Sequence, residues 1–356
     1  MLNFKPDCKA VLIGSLPMDD HEEALRLMLN HTPEVPLWIQ LPRHPEEGML
    51  NQFLPGMPGL TREHDRVYID ADTPRFDQEM IQFYEDYIAV TEGAAGLETS
   101  RFALTEETAR GFFCFLSAVR KLPHPPGALK GQITGPVTMG IGIKDRNGKA
   151  VFYDDRIRDI LTRNLAMKAR WQAHQLTRLG APGIIFFDEP GLASFGSSAY
   201  ISISREQIQT ALAEMVAGVH AGGGLAGIHI CANADWSLAL DSEMDIISFD
   251  AYSFFDRFIL FPEQLKKYLL SGRILAWGIV PTSNPEDIAG ETVQSLTARW
   301  HEQADRVAAL GIAKPRLMAQ SLITPSCGTG SLSLQDATRV LELTRGVSEQ
   351  LRRDTA

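Results

Sequence analysis

Short apolar runs rich in Val, Ile, Leu and Phe alternate along the chain with longer segments whose apolar residues recur at helical spacing. That alternation is the signature of parallel βα units. The runs predict strands at 9–15, 36–41, 128–134, 183–188, 225–231, 245–250, 274–280 and 315–321. Several are apolar on both faces, as strands buried between a barrel interior and outer helices must be. Eight strands spread over the whole chain favour closure into a (β/α)8 TIM barrel. An open doubly wound sheet is disfavoured, because Gly14-Ser15-Leu16-Pro17 after the first strand is no glycine-rich phosphate fingerprint.

Caps mark the helices. Asp20 precedes 21–30, Thr105 precedes 106–121 with acids in its first turn, and Asp154 opens a long helix that Gly180 closes. Ser204 with Gln207 has capping-box spacing, Asn284-Pro285 begins a helix running to about Leu310, and Ser333 with Asp336 starts the terminal one. One interval, 42–127, is longer than a βα loop and helix require. Its first part, 42–60, is rich in Pro, Gly and Met and reads as a long loop, and 76–91 and 105–121 read as helices. As an insertion after the second strand it would land on the catalytic face, as a lid or as decoration. No repeat or linker divides the chain, so 1–356 is expected to form a single TIM-barrel domain.

Composition narrows the function. With 356 residues, 44% of them hydrophobic and 22% charged, the chain can bury a large core. A net charge of −10 and the lack of a Lys/Arg run argue against a nucleic-acid partner. Residues 1–9 carry no signal-peptide core, and no apolar stretch approaches the ~20 residues of a membrane span, so a cytoplasmic protein without a membrane partner is expected. Cysteines at 8, 114, 231 and 327 are too scattered for a disulfide framework and are expected to be reduced. His21, His31, His44 and His64 read as surface or loop residues.

The strongest chemical signal is the run from Gly227 to Trp236, in which His229 and Cys231 stand two apart at a strand end. Period two puts both side chains on one face, and imidazole with thiolate favours zinc. Alone the pair is weak, since a buried cysteine or a strand-end histidine is commonly structural. Barrel closure would bring Cys327, after the last strand, to the same mouth, and Asp250 ends the neighbouring strand as an oxygen ligand or outer partner. His229, Cys231 and Cys327 leave one coordination position for a carboxylate, water or substrate, the open arrangement expected of catalytic zinc. A thiol bound there loses its proton at neutral pH and becomes a nucleophile. Asp188 and Glu189 end the fourth strand: Asp188 could take a substrate ammonium, while Glu189 could equally cap the next segment. Gly14 and Ser15 close the first strand, where backbone amides could hold a carboxylate.

Together these pieces resemble the uroporphyrinogen decarboxylase/methionine synthase superfamily, and within it the catalytic half of cobalamin-independent methionine synthase. The matching motifs are IGSLP at 13–17, ITGPVT at 133–138, DEP at 188–190, HIC at 229–231 and PSCG at 325–328, in family order over nearly the whole chain. The resemblance implies a TIM barrel and a catalytic Zn2+ held by His229, Cys231 and Cys327, with a homocysteine-like thiol accepting a methyl group to give methionine. It also implies substrate contacts from Ser15 and Asp188. Three departures matter. Asp250 stands where the family has a glutamate zinc ligand, and Val280-Pro281-Thr282-Ser283 offers no counterpart to the family's proton-donating histidine. The synthase also has an additional N-terminal barrel that helps bind folate. The methyl donor expected here is therefore a methylcorrinoid, on a corrinoid protein as partner. The alternatives are a metal-free uroporphyrinogen decarboxylase-like lyase, disfavoured because Ser15-Leu16 replaces arginine at the first strand end, and a non-catalytic module binding a thiol or a corrinoid protein.

Overall fold

In the computed structural model, which describes residues 4–64, 66–196, 200 and 202–354, strands and helices alternate as the apolar pattern predicts; the expected domain limits, 1 and 356, lie outside the described residues. The first part of the chain forms β1 (Lys9–Ala10), α1 (His21–His31), β2 (Leu60–Glu63), β3 (Arg66–Ile69), α2 (Pro74–Thr91) and α3 (Glu106–Val119). The middle forms β4 (Leu129–Thr134), α4 (Pro136–Gly142), β5 (Lys144–Asp145), α5 (Asp155–Thr177), β6 (Gly183–Asp188), α6 (Arg205–Ala221), β7 (Leu225–Ile230) and α7 (Ser237–Leu240). The last part forms β8 (Ile246–Phe249), α8 (Ala251–Phe258), α9 (Pro262–Leu270), β9 (Ile274–Val280), α10 (Pro285–Gly290), α11 (Val293–Ala308), α12 (Lys314–Ala319), β10 (Ser321–Pro325) and α13 (Leu334–Arg353).

Seven strands form one parallel sheet in the order β1-β10-β9-β8-β7-β6-β4. Segment 36–41 makes no ladder of its own, but isolated parallel bridges join Ser15 to Gln40 and Leu37 to Lys130. Gln40 N donates to Gly14 O at 3.0 Å, Leu16 N to Gln40 O at 3.1 Å and Lys130 N to Pro36 O at 2.9 Å. The segment therefore lies between the two edges of the sheet, β1 and β4. This mixed α/β arrangement, a curled parallel sheet flanked by helices, is compatible with a TIM-like barrel.

Strand alternation separates two cores. Val11, Ile184, Phe186, Ile246, Ala276 and Leu322 form an inner cluster distinct from the larger one beneath the helices. Gly227 belongs to the inner face, where a Cβ would lie 2.4 Å from the Phe186 ring, so glycine makes room for the aromatic. The long helix α5 packs on β4, β6 and α6. Its N-cap Asp154 accepts from Arg156 N and Ile157 N, and Ser204 with Gln207 forms the expected capping box on α6.

Several elements differ from the sequence reading. The last strand is β10, displaced beyond the expected 315–321, because Pro315 sits in the first turn of α12 and Lys-Pro-Arg-Leu-Met-Ala is a good helix former. The helix expected from Pro285 to about Leu310 is broken into α10 and α11, with Thr292 and Ser295 forming a second capping box. At the end of the long loop, β2 and β3 pair antiparallel, and β5 adds to β3 in parallel. His21 is buried rather than at the surface, its Nε2 2.7 Å from Glu47 Oε1. Among the described residues no helix is long and apolar enough to cross a membrane.

Candidate metal centre

β6, β7 and β8 set the floor of the site. Asp188 ends β6 directly opposite His229 in β7, and His229 stands opposite Ser248 in β8. Cys231 follows β7, and Cys327 lies two residues beyond β10. The donor atoms of His229, Cys231 and Cys327 all lie within 4.8 Å of one another. His229 Nδ1 is 3.0 Å from Ser248 Oγ, whereas the buried Nε2 has no hydrogen-bond partner among the described residues. A buried imidazole nitrogen left without a partner calls for an explanation. Here one ring nitrogen is held by a hydroxyl while the other belongs to a cluster with two thiols, the arrangement of a metal-binding histidine with its outer partner. One imidazole and two thiols fit zinc.

Charge is concentrated at this point. Cys231 supports the Cys327 thiolate by hydrogen bonding, and with the His229 imidazole it holds that thiol well below its usual range against the effect of burial. Cys231 is correspondingly pushed up by its interaction with Cys327 and by burial. Burial raises the Asp188 carboxyl, opposed by His229 and by Lys130. Burial lowers Lys130, opposed by Asp188.

A cavity of about 260 Å³ opens above the cluster, bordered by Gly14, Ser15, Gln40, Met49 and Asp188 as well as by the three candidate ligands. Gly14 permits a close backbone approach: a Cβ there would lie 2.9 Å from Gln40 Oε1. The Ser15 carbonyl accepts from Thr329 N and Thr329 Oγ1, and its hydroxyl oxygen accepts from Gly330 N at 3.1 Å. These bonds tie the first strand end to the loop that carries Cys327. Asp188 Oδ1 is buried without a hydrogen-bond partner among the described residues.

Two expected site residues are placed elsewhere. The Glu189 carboxylate is fully buried behind the wall, accepting from Val137 N at 2.9 Å, Thr138 N at 2.8 Å and Thr138 Oγ1 at 2.6 Å. It thereby satisfies free amides at the start of α4, although burial pushes it up to about 7. Asp250 is outside the three-residue cluster and does not border the cavity. Its Oδ1 accepts from Ser253 N at 2.8 Å, so it caps α8; burial raises its carboxyl. Sequence reasoning missed Ser248, Gln40, Glu47 and Met49. Alternation with Ile246 and Asp250 could have marked Ser248 as inward-facing. Glu47 accepts from Leu41 N and pairs with His21 at the start of α1, a contact between segments far apart in sequence with no local signature.

No family model matches this chain, and no curated protein matches it. Among solved structures, a B12-independent methionine synthase from Shewanella sp. W3-18-1, in complex with selenomethionine, shares 18% identity over 68% of this chain and 67% of its own, with a TM-score of 0.47. ZgEngAGH5_4 in complex with a cellotriose shares 12% identity over 62% of this chain and 83% of its own, with a TM-score of 0.30. Likenesses at these scores carry no argument about the present fold or site, so the functional reading stands on the geometry of the chain itself.

Proposed function

We propose that the chain is a zinc-dependent methyltransferase that moves a methyl group to a homocysteine-like thiol, giving methionine when homocysteine is the acceptor. The supporting observation is the unpartnered Nε2 of His229 clustered with the Cys231 and Cys327 thiols beneath a cavity that Asp188 and Ser15 border. The reading takes residues 1–356 as one cytoplasmic (β/α)8 domain with 42–127 inserted after the second strand.

His229, Cys231 and Cys327 would hold the zinc ion and leave a position for the substrate sulfur, with Asp250, one oxygen of which caps α8, as a further ligand or outer partner. Zinc bound there would lower the pKa of the incoming thiol and make its sulfur nucleophilic at neutral pH. The chain's own residues then position the acceptor. Asp188, with a free buried oxygen, takes the substrate ammonium. The Ser15 hydroxyl, whose oxygen already accepts from Gly330 N, donates a hydrogen bond to the substrate carboxylate, beside Gly14, where the missing side chain makes room for Gln40 and Gln132. In the transfer a sulfur–carbon bond forms as the bond from methyl to donor breaks, and the thiol proton passes to solvent. Glu189 supports the wall by anchoring α4.

For the donor we propose a methylcorrinoid presented at the open mouth, on a partner protein. Among the described residues no Lys or Arg borders the cavity, which favours this reading over a lyase for polycarboxylates. Zinc-loaded protein supplied with homocysteine and methylcobalamin is expected to form methionine, and methylfolate in its place is expected to give little. Protein that stays metal-free when zinc is supplied would overturn the reading.

A further inference from the structure

Lys130 stands inside the curled sheet with no side chain exposed. It follows Ala128 on the inward face of its strand, one alternation nearer the cavity. Its Nζ donates to Ile13 O and, at 3.1 Å, to Gln132 Oε1, and lies 4.7 Å from the centre of the Phe186 ring. Phe186 is two residues before Asp188 on the same face of the adjacent strand β6. The lysine therefore reaches along the interior from the level of Ile184 toward the floor of the cavity.

Burying an ammonium costs several kcal/mol unless an opposite charge compensates it. The carbonyl and amide oxygens bonded to Lys130 satisfy two of its three N–H groups but not its charge. Asp188, two residues beyond Phe186 on the same inward face of the adjacent strand, is the carboxylate that compensates it, across the interior rather than through a direct ion pair. A strand tie alone needs no charge, as Gln132 shows by donating from its neutral amide to Trp38 O at 2.9 Å.

We propose that Lys130 is a positioning residue for the amino-acid subsite, supplying the counter-charge that keeps the Asp188 carboxylate in place for a substrate ammonium while pinning the Ile13 carbonyl of the opposite wall. The inference rests on the reading of the site as one for an amino-acid thiol. It predicts that the lysine governs recognition of the ammonium and has no part in metal or sulfur binding.

The test uses cobalt(II)-loaded protein, in which thiol binding is read from the thiolate-to-cobalt charge-transfer band. Two probes are titrated: homocysteine, and 3-mercaptopropionate, which has no ammonium. Lys130→Met is expected to weaken homocysteine roughly tenfold while leaving 3-mercaptopropionate unchanged, and Lys130→Met with Asp188→Asn should bind homocysteine no worse than Asp188→Asn alone. Equal weakening of both probes, or additive losses in the double variant, would overturn the proposal. Melting of the metal-free proteins provides a second readout. The double variant should melt above Lys130→Met, because it no longer buries an uncompensated carboxylate. If Lys130→Met fails to fold, rescue by Asp188→Asn supports the pairing, and failure of the double variant as well refutes it. If the wild-type cobalt protein binds neither probe, the parent reading falls, whereas the melting cycle still decides whether the two charges are coupled.

Discussion

Two stretches of the sheet are built differently. From β4 through β6, β7, β8, β9 and β10 to β1, neighbouring strands are joined by backbone ladders, with one register shift between Thr324 and Pro325 of β10. Between β1 and β4 the backbone offers only isolated bridges, and side chains do the stitching. Lys130 donates to Ile13 O, Gln132 to Trp38 O, and Trp38 Nε1 to Gln172 Oε1. His229 stands in a laddered strand, with Cys231 just past its end and Cys327 in the loop after β10, while Gly14, Ser15 and Gln40 border the cavity from the stitched side. The difference matches what each side must do. A laddered strand fixes His229 and the exit of the chain toward Cys231, and the bonds from Thr329 and Gly330 to Ser15 fix the loop that carries Cys327. A wall that receives a substrate can be made from side-chain contacts that adjust.

Four substitutions would break or sharpen that contrast. The largest effect belongs to Cys327→Ser, which removes a thiol from the cluster: elemental analysis should find close to one zinc per wild-type chain and almost none in the variant. Ser248→Ala leaves His229 Nδ1 unsupported on the laddered side, and zinc affinity by competition with a chelating dye should fall about 10- to 100-fold with the fold intact. Gln132→Leu removes a stitch, leaving Trp38 O and Lys130 short of a partner. Urea unfolding of the metal-free protein should show a loss of about 2 kcal/mol, with zinc stoichiometry preserved; a loss of zinc instead would mean that the two sides are not separable. The smallest effect is expected from Asp250→Asn, since asparagine caps a helix as well as aspartate does. Stability should stay within about 0.5 kcal/mol and zinc content should not change; a drop in zinc would mark Asp250 as a ligand.

How much of this was legible depends on how local each feature is. The apolar runs located β4, β6, β7, β8 and β9, and the caps at Asp20, Asp154, Ser204 and Ser333 located helix starts, because each depends on residues within one turn or strand. β10 was misplaced because 314–325 contains two apolar stretches side by side, and only pairing with β9 decides which one is the strand. The β2–β3 pair was missed for a related reason: β3 gains its second neighbour from β5, far along the chain.

The sequence by itself determined that His229 and Cys231 share a face, because a strand repeats every two residues whatever surrounds it. It also placed Asp188, Glu189 and Asp250 at strand ends, but not where their carboxylates turn. Tertiary structure decided that. Free amides at the start of α4 took Glu189, Ser253 N at the start of α8 took Asp250, and no such donor took Asp188 Oδ1, which was left beside the cavity. It also brought Cys327 to His229 and aimed Lys130 from β4 toward the same floor. A local pattern sets the direction in which a side chain leaves the backbone. The hydrogen-bond donors and charges that compete for its far end come from elsewhere in the chain, and only the folded arrangement brings them within reach.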